Sequence, residues 1–326
     1  MDNPTYSIII PVYKRIFGFQ EALLSALNVV GCGEVVVVDD NSPHDEFQEI
    51  CNSFQDTRIK YFKNASNIGL FGNWNHGISL STSEFVSILC SDDLIEPDAY
   101  TLFLAAFREN PGVDVFFGSF SIFTTDKESA KTLRAFPSGK MDPVFLIKDA
   151  IENGPGFSVL SIIKKSKVQE MPFVEKPHSG NDWLWIYSNA SALNLHSVNK
   201  PINFWRRHPD QDAQSSQAIT TDCWPLMYID IEKQLKLLND SQSAKARRRA
   251  KGVVLSWLLN DYQKRENYYP RLSGNAATSN FFLQTALDII QSDWLLSGLL
   301  KAKEGSSLYY HIGRLIRKSA YYPSIY

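Results

Sequence analysis

Four short apolar runs, separated by stretches of helical periodicity, most constrain what this 326-residue chain can fold into. Thr5–Val12 (TYSIIIPV) and Glu34–Val38 (EVVVV) are rich in β-branched residues, Arg58–Phe62 is shorter, and Phe85–Leu89 (FVSIL) is fully apolar but for one serine. Runs of this length and composition are buried strands. Between the first two lies a helical segment, about Phe17 to Val29, with Phe19, Leu23, Leu24 and Leu27 at helical spacing. A helix is expected from near His44, a polar loop over Asn64–Gly72, and a helix over Asn73–Ser81. Strand and helix in strict alternation predict an α/β fold: a mostly parallel, Rossmann-like central sheet flanked by helices, with right-handed crossovers.

Two of these runs end in acids. Glu34–Val38 is followed by Asp39-Asp40-Asn41-Ser42, and Phe85–Leu89 by Cys90-Ser91-Asp92-Asp93, with Pro97 preventing any longer strand. The carboxyl ends of strands in an open α/β sheet are where such sheets bind ligands. Hard oxygen donors there suit a hard divalent cation bridging to a phosphate. Taken alone, Asp92 and Asp93 read more readily as a polar turn or a helix cap.

Further along, a helix is expected from Asp98 to about Asn110, an apolar strand over Val113–Ile122, and a polar surface excursion over Lys127–Asp142. Phe157–Lys164 is strand-like, Trp183–Ala192 helical, and Leu195–Trp205 a returning strand. His178–Trp183 (HSGNDW) opens the helix, so Asp182 is either a cap at a helix N-terminus or a reactive acid. From about Thr221 the chain turns helical, over Trp224–Leu238, Ala244–Lys264 and Asn280–Leu300. The expected division is residues 1–215 and a helical region, 216–326.

Composition narrows the partners. A hydrophobic content of 44% supports a sizeable core, and a formal charge of −2 gives no case for nucleic acid. Cys32, Cys51, Cys90 and Cys223 are scattered, as free thiols in a reducing cytosol would be. The N-terminus shows no signal-peptide pattern, and no run of about eighteen or more apolar residues reads as a membrane span. The run Lys245, Arg247, Arg248, Arg249, Lys251 reads as a solvated helix face. Near the end, Leu308, Ile312, Leu315, Ile316 and Ser319 share one helical side, and His311, Arg314, Arg317 and Lys318 the other. With tyrosines interleaved, residues 303–322 have the pattern of a basic interfacial helix on an anionic membrane. A helix packed on its own domain has the same pattern, and the helical region suits self-association equally well.

Five pieces in order, SIIIPVYKR, VVVVDDNSPHDE, NASNIGLFGNWNHGISLSTSEFVSILCSDDLIEPD, SGNDWLW and WRRHPDQDAQS, resemble the inverting family-2 glycosyltransferases. The resemblance covers about the first two thirds of the chain. It implies a GT-A fold with a C-terminal α-helical extension, and use of nucleotide-diphosphate sugars, UDP-sugars being the favoured donors. Carried over residue by residue, it implies a donor nucleotide held by Pro11, Tyr13, Arg15, Asp40, Asn67, Gly69 and Asp92. It also implies a Mn²⁺ or Mg²⁺ cofactor on Asp93 and Asp92, with His208 as an additional ligand. Arg206, Arg207 and His208 would grip the pyrophosphate, and Asp182 would be the catalytic base of a single inverting displacement. The implied setting is bacterial surface polysaccharide synthesis (O-antigen, capsule or lipopolysaccharide), at the cytoplasmic face of the plasma membrane. The acceptor would be a glycan or lipid-linked hydroxyl, with peripheral membrane contact through the tail. The chain departs from the family at Cys90, where an acid is common, and at Asn181, where Glu often precedes the base. Two other functions suit the same residues: a nucleotidyltransferase, for which Lys14 and Arg15 make a poor phosphate loop, and a degenerate sugar-nucleotide-binding scaffold. The joint presence of Asp40, Asp93 and Asp182 argues against the scaffold.

Overall fold

All seven residues of Tyr6–Val12 (β1) are buried, and β1 lies between two parallel neighbours. A strand covered on both faces loses the in–out alternation of a solvated sheet, which is why its sequence is continuously apolar. The computed structural model describes residues 3–153, 161–174 and 181–208. Apart from 147–153, these belong to one compact unit. The expected helical region 216–326, with its basic run and its tail at 303–322, lies outside the described residues.

In chain order β1 is followed by helix α1 (Phe19–Leu27), β2 (Glu34–Asp39), α2 (Glu46–Ser53), β3 (Ile59–Lys63), α3 (Leu70–Leu80) and β4 (Phe85–Ile88). The four strands are parallel, in the order β3-β2-β1-β4. Their register places Val12 beside Asp39 and Asp39 beside Lys63. The carboxyl ends of β1, β2 and β3 are therefore level along one edge. Helix α3 begins at Leu70 rather than at the expected Asn73, because Gly72 lies inside the helix rather than in the loop before it.

The chain continues through β5 (Leu94–Ile95), α4 (Ala99–Glu109), β6 (Val115–Phe117), β7 (Phe120–Phe123), β8 (Lys131–Arg134) and β9 (Gly139–Met141). Then come α5 (Pro143–Asn153), β10 (Ile162–Lys164), α6 (Lys165–Glu170), α7 (Asn181–Asn189), β11 (Leu195–Ser197) and β12 (Asn203–Arg206). The main sheet runs β3-β2-β1-β4-β10-β6-β11-β9, with β10 antiparallel to both β4 and β6, and a second sheet runs β5-β12-β7-β8.

The second sheet corrects two expectations. Val113–Ile122 and Leu195–Trp205 each read as one strand, yet each supplies one strand to each sheet. The crossing points meet: Ser119 N donates to the Lys200 carbonyl (2.9 Å) and Val198 N to the Phe117 carbonyl (3.0 Å). A Cβ at Gly118 would lie 2.5 Å from the Lys200 carbonyl oxygen, so only glycine admits this approach. The excursion over Lys127–Asp142 also holds structure, since β8 and β9 edge the two sheets. The second sheet matters for the site because it sets Phe204 beside Leu94 and Asn203 beside Ile95. Arg206 is thereby carried back to the acids that precede β5.

Candidate active site

Parallel strands that end level deliver their following loops to one edge, and there the loops after β1, β2 and β3 interlock. Lys14, in a left-handed conformation (φ 59°), donates its backbone N–H to Ser42 Oγ (2.9 Å), and its carbonyl lies 2.8 Å from His44 Nε2. Tyr13 is left 41% exposed with the Lys14 ammonium over its ring, while Pro11 is buried inside β1. Gly18, at the N-terminus of α1, has φ 81°, and a Cβ there would stand 2.8 Å from Asp92 Cα. The start of α1 thus touches the acidic turn, and a side chain at residue 18 would push it away.

Both acids after β2 are buried and engaged. Asp39 accepts from Ser42 N (2.7 Å) and Tyr61 Oη (2.7 Å). Asp40 Oδ1 accepts from Asn64 Nδ2 (2.9 Å) and Ile68 N (2.8 Å), and its Oδ2 from Gly69 N (3.0 Å). Asn67 Nδ2 donates to the Asp40 carbonyl (3.2 Å). Asp40, Asn67 and Gly69 are thus brought together, with the acid holding the loop.

The second acidic turn is tighter. Asp93 N donates to the Cys90 carbonyl (3.1 Å), and both Asp92 and Asp93 are buried. Asp93 Oδ1 accepts from Arg206 N (2.8 Å), and the Asp92 carbonyl from Arg206 Nε (2.7 Å). Asp92 Oδ2 lies 2.9 Å from His208 Nε2 and 3.3 Å from an Arg15 guanidinium nitrogen. Because a carboxylate only accepts, Nε2 is the protonated nitrogen of His208 in this pairing. Burial, and after it the neighbouring Asp92 charge, hold the Asp93 carboxyl well above the usual carboxylate range.

The basic triplet does not act as one group. The Arg206 side chain points inward, with one guanidinium nitrogen 2.6 Å from Glu21 and the group 4.5 Å from the centre of the Phe123 ring. Arg207 is half-buried over Trp205 (4.5 Å), and its N–H donates to the Phe123 carbonyl. The His208 ring reaches the Asp92 carboxylate and lies against Phe17. Asp182 sits half-buried in the first turn of α7. That helix is anchored by Trp185, whose ring packs on Phe173 and whose Nε1 donates to the Met171 carbonyl. Phe173 packs in turn on Phe71 and Trp74 of α3.

Among the described residues, no three His, Cys, Asp or Glu side chains converge as a ready ion site. In type, the donors fit one: two buried carboxylates and an imidazole are ligands that Mg²⁺ and Mn²⁺ accept. Sequence reading missed the residues behind Asp40, namely Asn64, Asn73 and His76, and the Glu21 partner of Arg206. Asn73 offered a signal, since it is a polar residue among the apolar positions of α3 and is buried there.

An open α/β sheet with an acid at the end of β2, an acid pair after β4 and a smaller second sheet beside it defines the GT-A class. S. aureus TarS 1–349 in complex with UDP-GlcNAc has this fold, with a TM-score of 0.61 at 18% identity over 98% of this chain and 93% of that one. The family model Glycosyl transferase family 2 matches residues 7–171, and the chain belongs to that family. Among curated relatives, the GalNAc(5)-diNAcBac-PP-undecaprenol beta-1,3-glucosyltransferase of Campylobacter jejuni is 25% identical over 280 residues, 83% of this chain and 84% of that protein. An uncharacterized glycosyltransferase of Rickettsia conorii is 30% identical over 207 residues, 62% of this chain but 33% of its own length. The putative colanic acid biosynthesis glycosyl transferase WcaA of Escherichia coli K12 is 29% identical over 110 residues, 32% of this chain and 38% of that one.

Proposed function

We propose that the chain transfers a sugar, with inversion, from a nucleoside-diphosphate donor to a hydroxyl of a lipid-linked or glycan acceptor in bacterial surface polysaccharide synthesis. The observation that carries this reading is the acidic turn. Two buried carboxylates stand side by side, one held by a backbone N–H and the other facing Arg15 and His208, and the loop after β1 links this turn to the loop after β2. Such a turn presents carboxylate oxygens at the carboxyl end of the sheet, where a donor's phosphates would lie. A divalent cation on Asp93 and Asp92, with His208 as a further ligand, would neutralise the diphosphate as it leaves.

The chain's own residues do the rest. Asp40 faces the nucleobase, Tyr13 stacks on it, and Pro11, Asn67 and Gly69 shape the pocket around it. Arg15 and Arg207 offer cationic groups and His208 a ring N–H to the diphosphate, while Arg206 is a positioning residue that ties the acidic turn to β12. Asp182 accepts the proton of the acceptor hydroxyl as its oxygen forms the new bond to the anomeric carbon. The bond from that carbon to the phosphate oxygen breaks on the opposite face, and the electron pair leaves with the diphosphate. A single displacement inverts the anomeric centre.

UDP is the favoured nucleotide, a reading supported by the TarS complex with UDP-GlcNAc, and a lipid-linked acceptor is supported by the C. jejuni relative. The basic tail would hold the enzyme at the membrane surface where such acceptors lie. The test is Asp182→Asn: nucleotide affinity should stay within about twofold while transfer falls by at least 100-fold, the scale of lost general-base catalysis. Normal turnover of this variant, or a product that retains the donor's anomeric configuration, would remove the mechanism.

A further inference from the structure

We propose that Asn64, fixed by Asn73 and His76, sets the base selectivity of the nucleotide site by leaving Asp40 one acceptor position, which suits the single imide N–H of uracil or thymine. The inference rests on the reading above that Asp40 faces the nucleobase. The Asp40 side chain is 3% exposed and accepts three hydrogen bonds from the chain itself. Asn64 Nδ2 and Ile68 N both reach Oδ1, whose two in-plane lone pairs are then engaged. Among the described residues Oδ2 receives Gly69 N alone and keeps one position.

The surrounding chemistry settles the orientation of Asn64. A carboxylate has no proton to give, so the Asn64 atom facing Asp40 is the amide nitrogen. The same nitrogen lies 2.9 Å from Asn73 Oδ1, whose own Nδ2 donates to the Val38 carbonyl (2.9 Å). Asn64 Oδ1 therefore faces His76 Nδ1 at 2.8 Å, which puts the His76 proton on Nδ1. The Asn64 backbone N–H donates to the Asp39 carbonyl (2.8 Å). Asn64 and Asn73 are both buried, so neither amide turns without leaving a donor or acceptor unpaired.

This network decides between bases. An unencumbered carboxylate offers guanine two parallel acceptors, one for its ring N–H and one for its exocyclic amine. A carboxylate with one acceptor left matches uracil or thymine, each of which presents one N–H between two carbonyls. Cytosine presents a bare ring nitrogen there, and two acceptors would face each other. Sites built to hydrogen-bond a particular donor pattern reject its mismatches strongly.

The test is calorimetric titration of the full chain with UDP, dTDP, GDP and CDP in Mn²⁺, for wild type, Asn64→Ala, His76→Phe and Asp40→Asn. Wild type should prefer UDP or dTDP over GDP and CDP, and the UDP and dTDP arms separate the two imide sources. Asn64→Ala, which frees a lone pair on Oδ1, should lower the UDP-over-GDP affinity ratio about tenfold, the equivalent of one hydrogen bond. His76→Phe keeps a ring and removes the donor that orients Asn64, so the ratio should fall in the same direction; it decides the matter if Asn64→Ala does not fold. A ratio unchanged in both variants, but lost in Asp40→Asn, overturns the role of Asn64 and leaves Asp40 as the base reader. A ratio unchanged in Asp40→Asn as well overturns the Asp40 reading, and the inference with it. A wild type without imide preference overturns the inference directly.

Discussion

Arg206→Met separates a residue that builds the site from one that grips the donor. Methionine keeps most of the side-chain volume and removes the guanidinium. The interactions that carry the loss are of unequal weight. The largest is the bond from Nε to the buried Asp92 carbonyl at 2.7 Å, a charged donor to an acceptor that is then left unpaired; such losses cost about 1–3 kcal/mol. The ion pair with Glu21 is short at 2.6 Å, but Glu21 is 61% exposed, so it contributes roughly 0–1 kcal/mol. Stacking of the guanidinium over Phe123, at 4.5 Å, contributes about 0.5–2 kcal/mol, part of which a thioether regains. The expected net loss is about 2–4 kcal/mol. Urea unfolding followed by tryptophan fluorescence reads this as a lower midpoint at an unchanged slope. UDP affinity should fall as well, because Asp92 loses the side-chain tie that positions it, while the backbone bond to Asp93 is kept. A midpoint shift worth less than about 0.5 kcal/mol, together with a large loss of UDP affinity, would refute the reasoning and make Arg206 a direct phosphate ligand.

Other predictions concern the acids and the tail. A carboxyl whose value is raised in the fold binds its proton more tightly there than in the unfolded chain. The stability Asp93 contributes is therefore present below about pH 4 and is lost as pH rises through its folded value. In EDTA, Asp93→Asn should raise the urea midpoint relative to wild type at pH 7 and give no advantage at pH 3.5; a pH-independent difference would contradict the burial cause. Deleting residues 307–326 should release the enzyme from vesicles rich in anionic lipid while leaving nucleotide affinity intact. Full retention on the vesicles would assign the membrane contact, if any, elsewhere in the chain.

The parallel half of the fold was legible because β1 and β2 are buried along their whole length and their middles are runs of β-branched apolar residues. The acids after β2 and β4 were legible because the apolar runs stop where they begin. Other features depend on contacts that sequence periodicity does not express. An apolar run announces burial but not which sheet it joins, so Val113–Ile122 and Leu195–Trp205 read as single strands. Their division rests on the approach of Gly118 to the Lys200 carbonyl, about eighty residues apart. Arg206 read as one of a basic triplet for phosphate, yet its place in β12 turns it onto the Asp92 carbonyl. Asp40 was legible as an acid at a strand end, whereas its three internal hydrogen bonds come from Asn64, Ile68 and Gly69, which are brought to it by the pairing of β3 with β2 and by the loop that leads into α3.

The most direct measurement of the central claim is calorimetric titration of UDP into the purified chain, first with Mn²⁺ and then with EDTA, alongside Asp93→Ala. The account predicts binding in Mn²⁺ that weakens at least tenfold in EDTA and equally in Asp93→Ala, the loss of a metal-bridged diphosphate. Affinity for UDP that is the same with and without the metal, or a folded protein that binds no nucleotide at all, would contradict it.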